Sequence, residues 1–123
     1  MRKVKTLDEL TIPQAHKAYL RHMLEYLSAY PVIEKVFLFG SCANGNATPK
    51  SDIDLFLLGT NMTDNDEWNI AWNCPRWENI EYVPCDILSG THETYEEMSK
   101  VPGMVQYVIG MKGVDISGLL RVG

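Results

Sequence analysis

Two carboxylates one residue apart stand at the head of an apolar run, Ser51-Asp52-Ile53-Asp54-Leu55-Phe56-Leu57-Leu58. Side chains on a β-strand alternate between faces, so Asp52 and Asp54 project together while Ile53 and Leu55 turn the other way. Two neighbouring carboxylates repel each other unless a cation lies between them. Their hard oxygens suit Mg²⁺, which takes one or two carboxylates and completes its shell with waters and substrate phosphates. An Asp-x-Asp alone serves as often to close a turn or cap a strand. Here it is preceded by a second apolar run, Lys35-Val36-Phe37-Leu38-Phe39, that ends on Gly40-Ser41. Glycine at a strand end lets the backbone approach a ligand closely. The turn after it offers N–H groups, and the Ser41 hydroxyl adds a donor, so Gly40-Ser41 predicts a small anion-binding nest. Nest and carboxylates facing each other across a triphosphate form a coherent site.

The elements that must position these residues can be read from period and punctuation. Thr11 and Gln14 have capping-box spacing, with Pro13 tolerable in a first turn. Ala15, Tyr19, His22, Met23, Tyr26, Leu27 and Tyr30 then recur at helical spacing up to Pro31. His22 within that stripe reads as a hydrogen-bonded histidine at the core edge. Residues 35–39 read as a strand covered on both faces. Residues 42–45 read as a helical turn, 46–51 as a loop and 51–58 as a second strand. Asp64 to Asn73 is expected to be a helix capped by Asp64, with Trp68, Ala71 and Trp72 on one face. Ile80 to Leu88 is expected to be a third strand, at an edge or bulged because Pro84 lacks a donor. Thr94 with Glu97 suggests a capped turn with a solvated His92 near its start. Val101 to Lys112 reads as a helix ended by Gly113, and residues 114–116 as a short last strand. Helices interleaved with strands predict an α/β or α+β fold, a small mixed sheet packed against helices, with residues 1–123 forming one domain.

Composition narrows the function. The 123 residues carry a net charge of −5, whereas proteins that grip nucleic-acid backbones present a basic face, so nucleic acid is not an expected partner. The one basic cluster, Arg2, Lys3 and Lys5, lies at a terminus expected to be mobile. Three cysteines, Cys42, Cys74 and Cys85, cannot all pair and lack zinc-ligand spacing. Free thiols imply a reducing compartment, and no apolar stretch is long enough for a bilayer, so a cytoplasmic protein without membrane contact is expected. Cys42, beside the nest at a helix start, is expected to have a lowered pKa.

The run Phe39-Gly40-Ser41-Cys42-Ala43-Asn44-Gly45 with Ser51-Asp52-Ile53-Asp54-Leu55 resembles the signature of the minimal nucleotidyltransferases, within the DNA polymerase β-like nucleotidyltransferase superfamily. The resemblance implies a nucleotidyltransferase fold, a Gly-Ser turn for the phosphates, two metal-binding aspartates and a third carboxylate on a later strand. Asp86, in Val83-Pro84-Cys85-Asp86-Ile87, matches that third position. Asp52, Asp54 and Asp86 would then be both the catalytic set and the Mg²⁺ ligands, for one or two ions. Gly40 and Ser41 would hold the phosphates of ATP or another nucleoside triphosphate. The implied reaction moves a nucleoside monophosphate, AMP in the simplest case, to a hydroxyl of a protein or small molecule and releases pyrophosphate. One departure is clear. The family commonly reads Gly-Ser-Arg-Ala-Arg-Gly, and Cys42 and Asn44 stand at the arginine positions, which removes two charge-assisted phosphate contacts. Lys50 in the following loop is the candidate replacement.

Two other readings fit the same resemblance. Minimal members are often paired with a small helical HEPN protein in toxin–antitoxin or related systems, so this chain could act as a weak or inactive partner-binding module. The aromatic stretch Trp68, Trp72, Trp77 and Tyr82 would then be the interface, although tryptophans at helical spacing more commonly fill a core. Exposure of Trp77 separates the two. Alternatively, the acceptor is an antibiotic-like small molecule, for which a homo-oligomer would have to supply the missing acceptor surface.

Overall fold

The computed structural model describes residues 1–120. Its elements run β1 (Arg2–Lys3), α1 (Gln14–Leu27), β2 (Lys35–Phe39), α2 (Ser41–Asn44), β3 (Ile53–Leu58), α3 (Asp64–Trp72), β4 (Cys85–Gly90), α4 (His92–Met98), α5 (Val105–Lys112) and β5 (Val114–Asp115). The five strands form one mixed sheet in the order β1-β5-β2-β3-β4.

The central pair is β2 against β3, antiparallel, with Phe37 opposite Phe56 and Phe39 opposite Asp54. Both strands are apolar on both faces because both faces are covered. Val36, Leu38, Ile53, Leu55 and Leu57 join Leu20, Met23, Leu24 and Leu27 of α1 and Ile70 of α3 in the larger core. The alternating residues Phe37, Phe56 and Leu58 pack with Ile109 of α5 and Tyr95 of α4 in a smaller one. At about 1.5–3 kcal/mol for each fully buried large apolar side chain, these layers supply most of the favourable folding term. β4 runs parallel to β3, and α3 forms the crossover between them.

Several local expectations are corrected. The buried stripe of α1 is His16, Tyr19, Leu20, Met23, Leu24 and Leu27, rotated from the stripe read through Ala15, His22 and Tyr26. Its start carries no side-chain cap; the capping boxes are Thr6 with Glu9 and Thr63 with Asp66. Thr63, not Asp64, caps α3. Thr91 caps α4, accepting from the Thr94 N–H. The third strand begins at Cys85 rather than Ile80 because Pro84 has no N–H; its carbonyl accepts the first rung, from Ile53 N at 2.9 Å. The last long helix begins at Val105 rather than Val101, since Gly103 sits at φ +94, outside helical geometry. The basic terminus is not loose: Arg2 and Lys3 pair in parallel with Val114 and Asp115, and Val4 N donates to the Asp115 carbonyl.

The tryptophans also depart from expectation. Trp68 and Trp72 are 58% and 72% exposed and stack on each other, centroids 5.2 Å apart. α3 buries Ile70 instead. Trp77 is half-buried, edge-on to Tyr19 and Tyr26 and tilted against His22. His22 is part-buried, its Nδ1 3.0 Å from the Ala18 carbonyl oxygen. Among the described residues, no helix is long and apolar enough to cross a membrane.

Candidate active site

The geometry of the carboxylates follows from strand register. β3 and β4 place Asp54 directly beside Asp86, both on the sheet face opposite the larger core. Parallel neighbours stand about 4.8 Å apart, so a carboxylate separated by some thirty residues in sequence becomes an immediate neighbour. Asp52 precedes the first rung of β3 and is exposed, Asp54 is half-buried and Asp86 exposed. Burial first, then the nearby Asp86 and Asp52 carboxylates, hold the Asp54 carboxyl above its ordinary value. Two carboxylates on neighbouring strands repel each other, and a cation between them relieves that repulsion.

Gly40 closes the other side. It leaves β2 at φ +74 and ψ −158, a region open essentially to glycine alone. A Cβ there would run into the Asp54 carboxylate. The absence of a side chain thus sets how closely the turn approaches the acidic pair. The Gly40 carbonyl accepts from Ala43 N and Asn44 N, which winds Ser41–Asn44 into the short α2. Ser41 opens that turn, half-buried and next to Gly40.

The positions where family members carry arginine behave differently from each other. Cys42 points inward, 2% exposed, and its Sγ–H donates to the Asp52 carbonyl at 3.4 Å. Burial, then Asp54 and Asp52, push this thiol up to about 11, which reverses the lowered pKa expected from a helix start. Asn44 is exposed, and its side-chain oxygen accepts from Asn46 N within the loop. Lys50 is exposed in the Thr48–Ser51 turn and forms no ion pair among the described residues. It is free to reach an anion, and nothing in the fold directs it to one.

One buried neighbour of the site was not evident from the residue pattern. His16, in the first turn of α1, is 1% exposed and lies 2.7 Å, through Nε2, from the Ser51 carbonyl oxygen. Its sequence signal was only its phase on the true buried stripe of α1. His92, by contrast, starts α4 and meets Glu34 at 3.0 Å, away from the carboxylates.

A family model, the nucleotidyltransferase domain, matches residues 20–111. The chain belongs to the nucleotidyltransferase domain family. The matched span contains Gly40, Ser41, Asp52, Asp54 and Asp86 and leaves His16 outside. Among solved structures, this nucleotidyltransferase domain is similar to a putative nucleotidyltransferase from Sulfolobus solfataricus. That pair shares 22% identity over 69% of this chain and 80% of the other, with a TM-score of 0.46. A likeness at this level carries nothing about activity. No curated protein matches the chain.

Nucleotidyltransferase domains work on nucleoside triphosphates with a divalent cation, so the donor set needs testing against a metal. Among the described residues, no three His, Cys, Asp or Glu side chains gather into a ready-made cage. The expected three-carboxylate set is therefore not closed by itself. The pair Asp54–Asp86, with Asp52 nearby, still fits Mg²⁺, which seldom takes an all-protein cage and leaves positions for phosphate oxygens. The register that sets Asp86 beside Asp54, with Asp52 close by, concentrates negative charge that a cation would relieve.

Proposed function

We propose that this chain transfers a nucleoside monophosphate from a nucleoside triphosphate, with ATP as the reference donor, to an acceptor hydroxyl. The observation that carries the reading is the carboxyl pair Asp54–Asp86, placed side by side across two strands and opposite the glycine turn. Asp52, Asp54 and Asp86 are the residues that would hold Mg²⁺. When bound, the ion neutralises phosphate charge and stabilises the attacking and leaving oxygens of an in-line displacement.

The chain's own groups do the rest. Gly40 and Ser41 receive the outer phosphates, Ser41 as a hydroxyl donor, and Lys50 offers a mobile charge from the rim. Asp86, the more exposed of the pair, takes the proton of the acceptor hydroxyl as that oxygen attacks the α-phosphorus. A new P–O bond forms to the acceptor, the bond between the α- and β-phosphates breaks, and pyrophosphate leaves with the electron pair. Pyrophosphate release with Mg²⁺ and each of the four nucleoside triphosphates, in host lysate as acceptor source, tests this. Release by wild type that Asp54→Asn and Asp86→Asn lower at least about a hundredfold supports it; outer-shell changes alone cost 10–100-fold. Release that survives both substitutions contradicts it.

A second reading has its own observation. The exposed Trp68–Trp72 stack is a larger aromatic surface than a free helix face needs. It suits docking of a helical protein partner, such as the HEPN type that the sequence resemblance implies. Half-burial of Trp77 argues for core at that position, whereas Tyr82 is exposed like the α3 pair, which leaves Trp68, Trp72 and Tyr82 as the aromatic surface.

A further inference from the structure

Among the described residues, His16 and Asp115 are the buried polar or charged side chains outside the apolar core. Asp115 is accounted for locally: it accepts from Ser117 N and lies 4.0 Å from Lys35 Nζ. His16 has a single partner, the Ser51 carbonyl, and its Nδ1 is buried with none. A carbonyl only accepts, so the proton sits on Nε2 and Nδ1 remains a bare acceptor. A leucine would fill the same space beside Tyr19 and Leu20 without leaving a buried nitrogen unsatisfied, which costs stability. The histidine therefore gains something through Ser51.

Ser51 is the residue before Asp52, and Asp52 lies one residue outside the β3 ladder, whose first rung is Ile53 N to the Pro84 carbonyl. That rung holds the Asp52–Ile53 peptide, and the Cys42 Sγ–H adds a bond to its carbonyl at 3.4 Å. Strand pairing leaves the preceding Ser51–Asp52 peptide unset, and the buried His16 holds its carbonyl at 2.7 Å instead. On the solvent side the Thr48–Ser51 turn closes the loop, with Thr48 N on Ser51 Oγ at 2.9 Å.

We infer that His16 is a positioning residue for Asp52, its Nε2–H fixing the Ser51 carbonyl and through it the side of the chain on which the Asp52 carboxylate stands. The inference rests on Asp52 being a metal ligand in nucleotidyl transfer. It assigns α1 a part in the site, although His16 precedes the matched family span. Glutamine, whose Nε2 reaches as far as that of histidine, can replace the donor; leucine and asparagine cannot.

The test has two arms on the full chain. Nitrogen-15 NMR of the imidazole is expected to show the Nε2–H tautomer for His16, and an Nδ1–H tautomer overturns the inference without reference to activity. Mn²⁺ binding in the presence of α,β-methylene-ATP is then read by electron paramagnetic resonance on folded protein. His16→Leu is expected to bind Mn²⁺ about tenfold or more weakly, as outer-shell losses do, with His16→Gln close to wild type. If the leucine variant does not fold, His16→Asn takes its place. Equal binding by wild type and the donor-less variant overturns the inference alone, as does an equal loss in the glutamine and donor-less variants. No Mn²⁺ binding by wild type, with Asp54→Asn as control, overturns the metal-site reading together with the inference.

Discussion

At Asp54 burial and the nearby Asp86 and Asp52 carboxylates act in the same direction, holding its carboxyl above the ordinary 3.8. The folded chain therefore keeps a proton that the unfolded chain has released over the pH range just above 3.8. Stability falls as pH rises through that window, and the loss is complete above the folded value. Asp54→Asn removes it. Thermal unfolding is expected to show Asp54→Asn melting above wild type near neutral pH, with the gap closing towards pH 4. A variant that melts below wild type throughout contradicts this account of the pair. The arginine positions give a second expectation. Cys42 is fully buried, so Cys42→Arg would force a much longer side chain into a filled space, a cost of about 1–3 kcal/mol, and is expected to melt below wild type even though Asp54 and Asp52 face that position. Asn44→Arg, on an exposed position, leaves stability near wild type and tightens ATP binding in a fluorescence titration with a labelled analogue. The face of Asp54 was legible because it needs only strand geometry, whereas the strand expected from Ser51 begins at Ile53 and leaves Asp52 just outside the ladder. The inward turn of Cys42 and the anchoring role of His16 were not legible, since both depend on which way a helix faces in the assembled core.

Element boundaries followed the strong breakers where those act alone. Pro75 closes α3 as expected, whereas α1 ends at Leu27, short of Tyr30 and Pro31, and Pro84 and Gly103 trimmed a strand and a helix that their apolar content had lengthened. The caps show how spacing misleads. Thr11 and Gln14 have the right separation, but Thr63 and Asp66 make the reciprocal bonds, Asp66 N donating to Thr63 Oγ1 at 3.1 Å and Thr63 N to Asp66 Oδ2 at 3.0 Å. Thr63→Ala is expected to cost about 1 kcal/mol, within the usual 0.5–2 for a cap, measurable by urea unfolding. Thr11→Ala is expected to change little, and the reverse order would contradict the assignment. α3 also shows why helical spacing of tryptophan did not decide burial. Trp68 and Trp72 are four apart and stack on each other, while Ile70 between them takes the core position.

Across the whole molecule, the site exists only because of long-range pairing. Asp54 reaches Asp86 through the β3–β4 register and meets Gly40 where β2 turns out of the sheet. Residue spacing predicts neither the strand order β1-β5-β2-β3-β4 nor which later aspartate stands beside Asp54. The family pattern supplied Asp86, and parallel pairing placed it. The chain carries a net charge of −5 and turns three carboxylates to one region, so a triphosphate would meet repulsion there without a divalent cation. That makes the central claim a statement about which bond of the triphosphate breaks. The most direct measurement compares α-³²P-ATP with γ-³²P-ATP, each with Mg²⁺ and host lysate, for wild type and Asp54→Asn. Label from the α-position on an acceptor, γ-label recovered in pyrophosphate, and neither with Asp54→Asn, is the result predicted here. Acceptor labelled from the γ-position, or no transfer of α-label from any nucleoside triphosphate, would contradict it.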